Sequence, residues 1–173
     1  MPDELVDLPR IGIVTTLPGS FDDVEWYGEG PHESYPDRRD SAVVGRWRTS
    51  VADQHVPYAF PQEHGHHTGL RWVALRERRG AGLLVVADGE LGFSARHHSD
   101  AELSAATHTD ELPYDAALTH LAIDAFQRGL GTGSCGPDAA ERYRSRAGRY
   151  RIGVWLRWFD ARRDDPAELA RVV

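Results

Sequence analysis

The sequence has no lysine and no asparagine, and its twenty basic residues are all arginine. Such one-sidedness reflects genome composition and carries no functional cue. Cysteine is nearly absent. Cys135 stands alone, so no disulfide can form within the chain, and a reducing compartment suits it. No apolar run approaches the ~20 residues of a membrane-crossing helix. Residues 1–10 lack the basic start and apolar stretch of a secretory signal. The cytoplasm is therefore expected. A basic surplus is lacking too. Twenty basic residues face 27 acidic ones, for a net charge of −7. That opposes nucleic-acid binding, which needs a basic face to displace counterions.

The 173 residues suffice for one domain with a real core. Turn residues recur at short intervals: Pro18-Gly19, Gly28 to Pro31, Pro36-Asp37, Gly65, Arg79-Gly80, Gly89, and Gly129 to Gly136. Between them lie runs of strand character at residues 11–17, 24–27, 42–51, 69–76, 82–87, 118–126 and 149–159. In the last run Tyr150, Ile152, Val154, Leu156 and Trp158 share one face, while Arg151 and Arg157 take the other. Period two predicts one buried face. Ser99 and Glu102 have capping-box spacing and predict one short helix near 100–106. Residues 160–173 are charged and predict a mobile tail, in which Pro166 could open a small helix. Many short strands with regular turns predict an all-β sandwich.

Candidate chemistry is sparse. Glu63-His64-Gly65-His66-His67 is the densest polar cluster, yet neighbours in an extended segment point in opposite directions. His66 and His67 are thus poorly placed to share an ion, and a polar loop is expected. In His97-His98 one ring should face in and one out. Glu25, Glu29, Glu33, Asp37 and Asp40 crowd a rigid, turn-rich region and suit structural hydrogen bonding better than glycosidase carboxylates. The Gly-rich run from Gly129 to Pro137 lacks the Lys-Ser/Thr ending of a phosphate loop, so its backbone is expected to pass close to another segment or a ligand. Nothing places a base beside Cys135, and an inert thiol is expected. Trp26, Trp47, Trp72, Trp155 and Trp158 are expected in the core or at inter-domain contacts.

An ordered set of segments carries a resemblance. It comprises Leu8-Pro-Arg-Ile-Gly12, the block from Val24-Glu-Trp-Tyr27 to Tyr35-Pro-Asp-Arg38, Val56-Pro-Tyr58, Pro61-Gln-Glu-His-Gly65, Arg71-Trp72, Thr107-His108, Gly129-Leu-Gly131 and Ser134-Cys-Gly-Pro137. Over residues 8–159 the chain resembles the small-chain region of family-two β-galactosidases. The resemblance implies a β super-sandwich similar to galactose mutarotases. The family's last domain is longer, so this chain would be its C-terminal part, residues 1–159, lacking several strands and followed by the tail of 160–173. It implies a retaining β-galactosidase acting on lactose and other terminal β-galactosides. The catalytic carboxylates, with Mg and Na, would belong to a barrel domain or large subunit outside this chain. No catalytic or metal-binding residue carries over, and the isolated chain should be inactive. Where relatives have Ser-Trp-Ser-Pro, helping to wall the galactoside site, this chain has Ser134, Cys135 and Gly136 before Pro137. That loop is expected to shape the aglycone region without a sugar-stacking ring. The partners implied are the barrel domain or large subunit and, in the holoenzyme, a galactoside. An oligomer is expected, without nucleic acid or membrane. Two other readings stand beside this one: a stand-alone carbohydrate-binding or scaffold module, and a mutarotase-like isomerase using Glu63 with His97 or His108.

Overall fold

A computed structural model of the chain describes residues 7–113, 116–131 and 136–172. The fold is all-β, of the sandwich class. Among the described residues seven antiparallel strands run as β1 (Arg10–Pro18), β2 (Asp23–Gly30), β3 (Val43–Ser50), β4 (His66–Arg76), β5 (Ala81–Arg96), β6 (Leu118–Gln127) and β7 (Val154–Asp160). Their order in the sheet is β1-β6-β5-β4-β2-β3, with β7 paired to β5. Each expected run contains a strand, but β5 continues nine residues past the expected end at 87 and β7 starts five residues after the expected start at 149.

The connection from β1 to β2 dictates the curvature. Three strands separate them in the sheet, a flat distance of about 19 Å at ~4.8 Å per strand. Only residues 19–22 join them, and Phe21 N–H turns back onto the Pro18 carbonyl at 2.9 Å. A turned segment that short cannot span a flat sheet, so the sheet curls. Its inner face gathers Leu17, Val24, Trp26, Leu70, Val73, Val85, Phe93, Leu121 and Ile123 into one buried cluster.

β5 departs from the sequence reading. A turn was expected at Gly89, yet the strand continues through it for 16 residues. Gly89 has φ +106°, a conformation open to glycine and costly for residues with a Cβ. The strand changes partners there: residues 81–87 pair with β7 and 92–96 with β6.

Helix α1 (Asp100–Ala105) starts where the capping box predicts. Glu102 N–H donates to the Ser99 hydroxyl at 3.2 Å, and Ser99 N–H donates to the Glu102 carboxylate at 2.7 Å. The charged end of the chain is not a loose tail. Helix α2 (Pro166–Leu169) is capped by Asp165, and Ala161, Ala167, Leu169 and Ala170 pack on Trp72, Leu84 and Phe159 across the outer face. Alternating small apolar residues among the charges give this segment an inner side to bury, which its net polarity conceals.

Candidate functional site

Of the expected wall loop, Ser134 and Cys135 lie outside the described residues, and Gly136 is exposed. The strand end that leads into the loop is firmly held. The Asp37 carboxylate accepts the backbone N–H groups of Leu130 at 3.1 Å and Gly131 at 2.7 Å. Gly129 donates its N–H to the Tyr143 carbonyl at 2.9 Å. A Cβ at Gly129 would sit 2.7 Å from Asp37 Cγ, so only glycine permits this approach. Beyond the loop, Asp138 takes Arg128 at 2.7 Å and Arg144 at 3.0 Å, and Arg128 also reaches Asp7 at 2.5 Å. The described start of the Gly-rich run, residues 129–131, thus passes close to another segment, the Tyr35-Pro-Asp-Arg38 turn.

A second polar assembly lies inside the sheet. Arg10 from β1 reaches Asp124 of β6 at 3.0 Å and Asp100 of α1 at 3.1 Å. Arg96 of β5 bonds Glu63 at 3.0 Å and also Asp100. His66 Nδ1 stands 3.5 Å from Asp124. Burial pushes the Asp124 carboxyl up to about 6, against the pull of Arg10. The same burial acts on Asp100, but Arg96 and Arg10 outweigh it and hold that carboxyl below its usual range.

The His-rich run is not an exposed polar loop. His66 and His67 open β4 and are both buried. They face opposite ways, as extended geometry requires. His67 stacks on Phe93 at 5.1 Å and meets Trp26 in a tilted contact at 4.4 Å, while His66 faces Tyr35 at 5.5 Å. Burial lowers His67 to about 4 and puts His66 well below its ordinary value. His64 bonds His55 at 3.2 Å, beside a cleft of about 500 Å³ that Arg96, His97, His98 and Leu112 also line. Among the described residues no group of three or more His, Cys, Asp or Glu converges as metal ligands.

A family model described as "Beta galactosidase small chain" matches residues 1–156. The chain belongs to that family. Curated relatives called β-galactosidase agree with it. The protein of Arthrobacter sp. (strain B7) is 43% identical over 135 residues, covering 75% of this chain and 13% of the relative. That of Staphylococcus xylosus is 37% identical over 138 residues, 79% of this chain and 14% of the relative. That of Vibrio cholerae is 39% identical over 128 residues, 74% of this chain and 12% of the relative. The chain therefore spans about an eighth of the length of these relatives.

In this β-galactosidase small chain the acidic stretch between residues 25 and 37 is structural. Glu25 pairs with Arg46 and Arg76, Glu29 with Arg39, and Glu33 with Arg38 while it accepts the Gly65 N–H at 2.7 Å. The isomerase pairing finds no support in the contacts. Glu63 is held by Arg96, His97 lies 3.2 Å from Asp22, and His108 lies 3.4 Å from Glu111. Sequence reasoning missed the ionic role of Arg10, Arg96, Asp100 and Asp124. The available signal was Asp124, the one polar residue among the apolar residues 121–126 of β6. The expected tryptophan roles divide. Trp26 and Trp72 are buried, whereas Trp155 and Trp158 are exposed.

Proposed function

We propose that this chain is a non-catalytic C-terminal piece or small subunit of a retaining β-galactosidase, and that it packs against the larger part that carries the catalytic carboxylates, Mg and Na. The substrates would be terminal β-galactosides such as lactose. Its own contribution would be a wall of the aglycone region, made by Ser134, Cys135 and Gly136. The observation that carries this reading is that the small-chain match covers residues 1–156 but only about an eighth of each relative. The Asp37 clamp on Leu130 and Gly131 supports the wall role, because a loop that shapes a pocket needs a fixed foot. The assembly is read as cytoplasmic and oligomeric. The reading as a carbohydrate-binding module draws on the exposed Trp155 and Trp158. These lie three positions apart on one strand and so on opposite faces, which makes a single stacking platform unfavourable.

The test is hydrolysis of a nitrophenyl-β-galactoside by the purified chain, alone and mixed with the larger part from the same source. We expect no turnover alone and turnover on mixing. Turnover by the chain alone would reject the placement of the carboxylates elsewhere. Silence in both, with galactoside binding by the chain alone, would favour the binding module.

A further inference from the structure

β7 ends the sheet in an exposed position. Its only ladder partner is β5, and among the described residues no strand lies along its other edge. Trp155, Leu156 and Trp158 are 46%, 64% and 62% exposed. Folded proteins avoid large apolar side chains on both faces of an unpaired strand, since such an edge recruits other strands. Leu156 and Trp158 share the face of Val154, which packs on the main core, and Trp158 meets Phe21 edge-on at 5.9 Å. The core face thus runs out into solvent along this strand.

The backbone register tells which groups are free to pair. Asp88 N–H donates to the Gly153 carbonyl at 2.8 Å, and Ala161 N–H to the Gly80 carbonyl at 2.7 Å. Both bonds use odd-numbered residues at the ends of β7. Ladder bonds in an antiparallel pair alternate residue by residue, so the N–H and C=O groups of Val154, Leu156 and Trp158 point away from β5. Charge narrows the occupant. Residues 141–173 hold nine arginines against five acidic residues, in a chain of net charge −7. Arg157 is exposed in the middle of the strand. A second copy across a two-fold axis would bring two segments with this arginine surplus together, Arg157 of each strand included, which like-charge repulsion opposes.

We propose that β7 is a docking edge at which the larger part of the β-galactosidase adds a β-strand, with apolar residues covering Leu156 and Trp158 and an acidic residue opposite Arg157. The proposal rests on the reading of this chain as a non-catalytic piece of that enzyme. Amide hydrogen exchange on the 173-residue chain, alone and assembled with the larger part, tests it. The Leu156 and Trp158 amides should exchange at least ~100-fold more slowly in the assembly, as protected ladder bonds do. A paired variant adds a second readout. Leu156→Pro removes an outward N–H without touching a β5 bond, whereas Leu156→Ala keeps it. Association with the larger part should weaken about 10–100-fold more for L156P than for L156A, the cost of one lost hydrogen bond and its orphaned acceptor. Equal losses, or fast exchange of both amides in an assembly that hydrolyses the nitrophenyl galactoside, would overturn the docking edge and leave the enzymatic reading standing. Protection that arises when the chain self-associates would assign the edge to a second copy and overturn it equally. Protection in a bound but inactive mixture would support the edge and count against the enzymatic reading.

Discussion

Arg10 is the side chain on which the buried charges converge. It joins Asp124 on β6 to Asp100 on α1, two carboxylates that lie far from it in sequence. Removing one member of a buried ion pair leaves an uncompensated charge, which costs about 3–5 kcal/mol. Arg10→Ala should therefore destabilise the chain by that order at pH 7, measured by urea unfolding. The loss should be smaller at pH 5, because Asp124 titrates at about 6 and is largely protonated there. An equal loss at both pH values would mean that the Asp124 charge is not what Arg10 compensates. This cluster was only faintly legible in the sequence. Arg10 could be read as part of a family motif and Asp124 as an oddity in an apolar run, but nothing local connects residues 114 positions apart.

At the scale of elements, β5 holds the architecture together by serving three neighbours. It pairs with β4 along one edge and with β7 and then β6 along the other. Gly89 lies between the two halves at φ +106° with open space where a Cβ would project. A side chain there would clash with nothing, so the cost of Gly89→Ala is conformational alone, about 1–3 kcal/mol. Thermal unfolding should detect that loss, and Gly89→Ala of unchanged stability would mean that the strand can pass this point in an ordinary extended conformation. Gly89 reads as a turn signal in the sequence because glycine marks both turns and strand bends. Only the pairing on either side distinguishes them. The capping box at Ser99, by contrast, is a contact within four residues and reads directly.

For the whole molecule, acid should be destabilising, and histidine burial is the cause. His55, His64, His66 and His67 are all lowered in the fold, chiefly by burial. A base whose folded value is lowered contributes stability above its unfolded value of 6.5, and that contribution is lost as pH falls towards the folded value. His67, moving from 6.5 to about 4, gives up about 2 kcal/mol between pH 7 and pH 5. Asp124 acts in the other direction. Its raised value means that the folded state binds the proton first, which returns about 1 kcal/mol over the same window. The other three histidines add to the loss. The urea midpoint should thus be lower at pH 5 than at pH 7, and His67→Phe, which can keep the ring contacts with Trp26 and Phe93, should narrow the difference. A midpoint that rises on acidification would sink this account.

The sequence by itself determined the strands, the α1 start, the all-β class and the family, because period-two patterning, a capping box and an ordered series of motifs are all readable along the chain. It also carried the geometric reason that His66 and His67 face opposite ways. What only the tertiary structure decided are the matters set by distant neighbours. These are the path of β5 through Gly89, the burial of Arg10 with Asp124, the clamp of Asp37 on the Gly-rich segment, the docking of α2, and the exposure of Leu156 and Trp158. The alternation in β7 predicted a buried face, and the face is apolar as expected. Whether such a face is covered depends on what lies against it, and no pattern within one strand contains that information.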